Sequence, residues 1–190
     1  MTHSPLIEKY LAQLQCLAAN KQASVLDLSC GGGRNGLYLV NNNISVTFAD
    51  VNTEVLEQVQ QSLSCANFEK KSLAQYWHVD FEQAGATPLQ GKYFAGVMVF
   101  RYLHRPLFEQ IKAAIKPGGL IIYETFTEQQ AQFGRPKNPD FLLKTNELLE
   151  RFSGWKILHS FEGVVNNSVG GETKQAIAQI VAIKPSSLDE

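Results

Sequence analysis

A chain of 190 residues, 44% hydrophobic and 18% charged, is long enough for one domain with a substantial core. Its net charge of −1 supplies no general field toward nucleic acid or anionic membrane, and no apolar run is long enough to span a bilayer. The three cysteines, Cys16, Cys30 and Cys65, form an odd set without metal-ligand spacing, so reduced thiols and no bound metal are expected.

The N-terminus lacks the basic region and apolar core of a secretion signal, which points to a cytoplasmic protein. Ser4 and Pro5 form a start signal for a helix within residues 1–22, along which Leu6, Tyr10, Leu14 and Leu17 recur at helical spacing. Tyr10 is a candidate core aromatic or ligand contact. Val25, Leu26 and Leu28 then read as a buried strand. Gly31, Gly32 and Gly33 follow as a turn that admits dihedrals and a backbone approach that a Cβ would block. The helix beginning near Arg34 presents free N–H groups and a partly positive end toward that turn. A second strand-like run, Ile44 to Asp50, ends in an acid placed to accept hydrogen bonds from both hydroxyls of a ribose. Turn and acid together indicate an adenosine-type cofactor. Gly31, Gly33 and Gly36 match G-x-G-x-x-G, the dinucleotide pattern, but Asp27 at the strand end would repel a pyrophosphate and suits a cationic ligand.

Asn52 to Cys65 reads as a helix capped by Asn52 or Thr53. A third strand lies within Leu73 to Phe81 and brings Asp80 to its end. Tyr93 to Phe100 is almost continuously apolar, as for a central strand covered on both faces. Ligands in open α/β sheets bind beyond the carboxyl ends of the strands, which puts Arg101, Tyr102 and His104 where an acceptor would sit. Pro106 starts a helix through Ile115, and Lys116-Pro117-Gly118-Gly119 forms a tight turn into the strand Leu120 to Phe126. Residues 127–143 contain too many breakers for a helix and read as a lid over the acceptor pocket. A short helix from Thr145 or Asn146 to Phe152 follows. The strands Trp155 to Glu162 and Ala176 to Ile183 then form an antiparallel hairpin through the polar turn Asn166 to Gly171.

Leu26-Asp27-Leu28-Ser29-Cys30-Gly31-Gly32-Gly33-Arg34 resembles the S-adenosylmethionine loop of class I methyltransferases, with Ser29 in place of the first loop glycine. The acid-apolar pair Asp80-Phe81, the Lys-Pro-Gly-Gly turn and the terminal hairpin resemble the same family. Gly33 to Leu39 and Phe152 to Leu158 resemble its tellurite-resistance group, which is associated with methylating tellurium and selenium oxyanions and with small-molecule acceptors. The resemblance implies one domain over residues 1–190, an α/β Rossmann-like fold with a seven-stranded, mostly parallel sheet, helices on both faces and a C-terminal antiparallel hairpin. It also implies S-adenosyl-L-methionine as cofactor. The implied contacts are Asp27, Ser29, Cys30, Gly31, Gly33, Arg34 and Asn35 along the loop, Asp50 and Val51 at the ribose, Asp80 and Phe81 at the adenine, and Phe100. Arg34 is a candidate partner for the methionine carboxylate or a solvated surface charge.

On the acceptor side the candidates are His104, Glu124 and Tyr102 as catalytic groups and Arg101, Tyr123 and Arg135 as substrate contacts. Arg101, Arg105, Arg135 and Lys137 point to an anionic acceptor; a thiol is the other class considered. A general base is needed only if the attacking atom carries a proton. Three other readings are a methyltransferase acting on RNA or protein, a non-catalytic cofactor-binding regulatory module, and an NAD oxidoreductase. Near-neutral charge and the lack of an appended binding domain weigh against RNA.

Overall fold

Apolar runs without polar alternation form strands that are covered on both faces. In the computed structural model, which describes residues 2–19, 23–66, 68–167 and 173–186, these runs assemble one sheet. Parallel strands β1 (Val25–Leu28), β2 (Val46–Asp50), β3 (Ala74–His78), β4 (Phe94–Phe100) and β5 (Ile115–Phe126) lie in the order β3-β2-β1-β4-β5. The sheet ends with β6 (Lys156–Asn167) and β7 (Thr173–Ile183), with β7 antiparallel to both β5 and β6. This is the seven-stranded, mostly parallel sheet with a C-terminal antiparallel hairpin that the sequence predicts. The hairpin strands are longer than expected, and residues 168–171 of the expected turn lie outside the described residues.

Strand order reverses between β1 and β4, so a crevice opens beyond their carboxyl ends, where ligands of open α/β sheets bind. Side-chain alternation along the strands feeds two cores. On one face Val25, Phe48, Met98 and Ile122 pack against α1 (Pro5–Lys9), α2 (Leu11–Ala18), α3 (Arg34–Asn41) and α4 (Thr53–Ala66). On the other, Leu26, Leu28, Val99 and Tyr123 pack against α5 (Leu107–Ala114) and α6 (Glu147–Arg151). Each fully buried Ile7 or Leu14 contributes roughly 1.5–3 kcal/mol of burial, which fastens the N-terminal helices to the sheet.

Two details differ from expectation, the N-terminal helix and the turn before β5. The single N-terminal helix is two, broken at Tyr10 (φ −108°, ψ 16°). The Tyr10 ring is buried and its hydroxyl donates to the Leu158 carbonyl at 3.2 Å, so it is a core aromatic. The Lys116–Gly119 turn is absorbed into β5 as an irregularity, since Phe94 pairs with Ile115 and Gly96 already with Leu120. Segment 127–143 carries two 3₁₀ turns, Glu128–Gln132 and Pro139–Phe141. It is tied at both ends by backbone hydrogen bonds, from Thr127 N–H to Ala176 O and from Leu143 N–H to Phe126 O. Cys16 and Cys30 are free thiols, and the Cys65 side chain lies outside the described residues.

Candidate active site

The loop after β1 is organised by positive backbone φ angles at Ser29 (54°), Gly31 (50°) and Gly33 (67°). Ser29 thus adopts the left-handed conformation that a glycine would take without strain. Ser29→Gly is expected to stabilise the protein by about 0.5–1 kcal/mol, the relief being partly offset by glycine's larger unfolded-state entropy. Denaturant unfolding would check this, and an unchanged or lower midpoint would contradict it. Close packing below the loop explains Gly36, because a Cβ there would lie 2.3 Å from Phe48 Cε1 and 2.8 Å from Asp27 Oδ2. Above the loop the situation is reversed. A Cβ on Gly31 or Gly32 would meet nothing within 4 Å, so the loop leaves room for a ligand.

Asp27 lies buried beneath the loop, and its Oδ2 accepts the Gly36 N–H at 3.0 Å. Desolvation pushes its pKa up to about 7; the nearby Asp50 adds to the shift, while the Gly36 hydrogen bond and the Arg34 charge oppose it. Asp50, at the end of β2, accepts the Gly31 N–H on Oδ2 (2.8 Å) and the Asn52 N–H on Oδ1 (3.0 Å), which links the acid directly to the glycine turn. Beside it Val51 is 58% exposed, an apolar surface open to an aromatic ring. Asp80 is exposed just past β3 and accepts the Glu82 N–H at 2.8 Å. Phe81 is buried edge-on against Trp77. Phe100 is half-buried at the end of β4. The Cys30 thiol is pushed far up by burial and by Asp27 and Asp50, so it stays protonated and poorly nucleophilic.

Arg34 and Asn35 also contact the N-terminal segment. Arg34 donates to the Thr2 carbonyl (3.2 Å), and buried Asn35 accepts the Ser4 N–H (2.9 Å), so both hold the N-terminal segment onto the start of α3.

Beyond β4 and β5 lies a cavity of about 430 Å³. Three of its lining residues, Arg101, Tyr102 and Arg135, are among the predicted contacts. Glu82, Thr125, Phe126 and Phe141 also line it and were missed. Glu82 stands two positions past Asp80, a spacing that marks the same strand end; the two phenylalanines carried no signal beyond their apolar character. Tyr102 connects the cavity to the acids. Its hydroxyl pKa is raised chiefly by burial, then by the charge and hydrogen bonding of Glu82 and by Asp80 and Asp50.

Three expectations, for Tyr123, Glu124 and Arg105, are corrected here. Tyr123 is 1% exposed, stacks on Phe108 and donates its hydroxyl to the Tyr102 carbonyl (3.0 Å), so it supports the loop from the core and offers nothing to a substrate. Glu124 is 5% exposed, pairs with Arg101 (3.1 Å) and accepts from Gln179 Nε2 (2.6 Å), which leaves no free carboxylate to act as a base. The His104 carbonyl accepts the Leu107 N–H at the start of α5. Arg105 is paired with Glu147 (2.8 Å) and donates to the Asp140 and Leu142 carbonyls, fastening segment 127–143.

Arg101 holds the boundary between the two halves of the site. Its φ is +58°, its guanidinium lies 4.5 Å from the centre of the Phe126 ring, and Gln175 accepts from Nη2 at 3.0 Å. Burial lowers its pKa, Glu124 opposes that shift and Arg34 adds to it. Among the described residues there is no group of three or more His, Cys, Asp and Glu arranged for a metal, and no helix long and apolar enough to cross a membrane.

Comparison with solved structures agrees with this architecture. Haemophilus influenzae TehB aligns with a TM-score of 0.68 at 21% identity, covering 91% of this chain and 62% of that one, so the chain spans about three fifths of its length. The N-methyltransferase NodS from Bradyrhizobium japonicum WM9 aligns with a TM-score of 0.63 at 12% identity, covering 96% of this chain and 98% of that one. The glycopeptide N-methyltransferase MtfA, complexed with S-adenosyl-L-methionine, aligns with a TM-score of 0.60 at 15% identity, covering 93% and 87%. No protein of curated function matches the chain. The family model of tellurite resistance protein TehB matches residues 8–178, nearly the whole sequence. With a class I methyltransferase sheet and that match, the chain belongs to the TehB family.

Proposed function

We propose that the protein is an S-adenosylmethionine-dependent methyltransferase acting on a small-molecule acceptor. The observation that carries this reading is the contact between the glycine turn and the acid at the end of β2, Gly31 N–H to Asp50 at 2.8 Å, beside open space over Gly31 and Gly32. Its surroundings select the cofactor. Asp27, Asp50, Asp80 and Glu82 gather at one end of the sheet, a field that favours a cationic sulfonium and ammonium and opposes a pyrophosphate. The residues therefore fit S-adenosylmethionine better than NAD.

S-adenosylmethionine supplies a methyl group on a cationic sulfur, and transfer by in-line displacement dissipates that charge. In this reading Asp50 holds the ribose, Asp80 the adenine amino group and the Gly31–Gly33 backbone the methionine part. Val51 gives the adenine an apolar surface. Tyr102 and Arg101 orient the acceptor from the other side of the crevice. Because Glu124 is committed to Arg101 and Gln179, alignment rather than proton abstraction is the chain's main contribution. Acceptors whose attacking atom is already deprotonated fit this best.

Calorimetric titration of the purified protein with S-adenosylmethionine, S-adenosylhomocysteine and NAD tests the reading. Micromolar binding of the first two with none of NAD is expected. Binding of NAD in preference would overturn the cofactor assignment.

A further inference from the structure

Charges around the 430 Å³ cavity are not equally satisfied. Arg101 is paired with Glu124 at 3.1 Å through Nη2, while its buried Nη1 has no hydrogen-bond partner among the described residues. Glu82 faces the Tyr102 hydroxyl on the side of Asp80 and Asp50, where a cationic cofactor compensates it. Arg135 is exposed, and among the described residues its guanidinium is in no ion pair. Its backbone is nevertheless fixed, because the buried Gln130 donates to the Arg135 carbonyl (3.1 Å) and accepts the Ala176 N–H (2.9 Å). The rest of the lining is largely apolar: Leu103, Phe126, Pro136 and Phe141, the last 47% exposed. An inorganic oxyanion would fill a small part of the cavity and leave the apolar wall wet.

We infer that the acceptor is an organic monoanion with an apolar body at least the size of a ring, its body against Phe126 and Phe141 and its anionic head on Arg135. This rests on the methyltransferase reading in calling the ligand an acceptor and in offsetting Glu82 with a cationic cofactor; the rest of the binding argument follows from the cavity. A hydrophobic body in a cleft of this size supplies most of the affinity, and an exposed arginine supplies a modest selectivity for charge.

Benzoate, 2-naphthoate and decanoate, each with its neutral amide, and sodium selenite are the probes. Each is titrated calorimetrically into the protein alone and into protein saturated with S-adenosylhomocysteine. At least one carboxylate is expected to bind roughly threefold more tightly than its amide. Arg135→Gln should remove that difference while leaving amide affinity unchanged, and Phe141→Ala should weaken acid and amide alike. Equal affinity for acid and amide, failure of all three carboxylates, or binding of selenite alone would overturn the proposal. Failure of S-adenosylhomocysteine to bind would count against the methyltransferase reading, and the carboxylate titration of the protein alone would then decide whether the cavity takes an organic anion.

Discussion

Asp50→Ala is expected to weaken S-adenosylmethionine binding by roughly 30–150-fold, equivalent to about 2–3 kcal/mol of charge-assisted hydrogen bonding. Two losses combine in this variant. The ribose loses its acceptor, and the glycine turn loses the tie from Gly31 N–H to Oδ2. Asp50 is only 8% exposed and also holds the Asn52 N–H, so the substitution reaches the entry to α4 as well. Asp50→Asn is the milder change, although it also removes one of the two oxygens that accept the Gly31 and Asn52 N–H groups. It keeps one oxygen acceptor without the charge, and an intermediate loss of about tenfold is expected. Calorimetry measures both affinities, and thermal unfolding checks that each variant is folded. Wild-type affinity in the two folded variants would remove Asp50 from the cofactor site.

Why some of this site could be read from sequence, and some could not, follows from the range of the forces involved. Strand-turn-helix at Val25 to Leu39 is local: apolar strand residues, glycines that admit positive φ and a helix start all lie within one short stretch. The acids at the ends of β2 and β3 were legible for the same reason, since a strand's end can be located from its apolar run. Partnerships across the sheet could not be located that way. Glu124 and Arg101 meet only because β4 and β5 pair in register, Phe100 against Glu124, and Gln179 joins them only because β7 pairs antiparallel with β5. Tyr123 illustrates the period-2 rule at work. One residue from Glu124, it points to the opposite face and is lost to the α5 core. Arg105 lay in the right loop, but the loop turns immediately into α5, which commits its guanidinium to Glu147. The break at Tyr10 likewise depends on a distant partner, the Leu158 carbonyl of β6, that no helical periodicity reveals.

Asp27→Asn is expected to make the protein alone more stable at pH 8 and a poorer binder of S-adenosylmethionine. The carboxyl is buried and has a pKa of about 7 in the folded state against an ordinary value of 3.8. Between those values the native state holds a proton that the unfolded state has lost, so stability falls as pH rises from about 4 to about 7 and then levels off. The full difference is on the order of 4 kcal/mol. Asparagine keeps an oxygen for the Gly36 N–H and carries no charge, so the variant should lose this pH dependence and unfold several degrees higher at pH 8. Function requires the opposite of stability here. A cationic ligand over the loop favours ionised Asp27, so wild-type affinity should rise between pH 6 and pH 8, with proton release detectable as a dependence of calorimetric enthalpy on the buffer. In Asp27→Asn that component should be absent and the affinity at pH 8 roughly tenfold lower. A variant that is no more stable at pH 8 would mean that the buried carboxyl carries no penalty. A variant that binds as tightly as wild type would assign Asp27 to holding α3 through Gly36 alone. The predicted combination, stability gained and affinity lost at one residue, is the signature of a charge kept buried for the sake of a ligand.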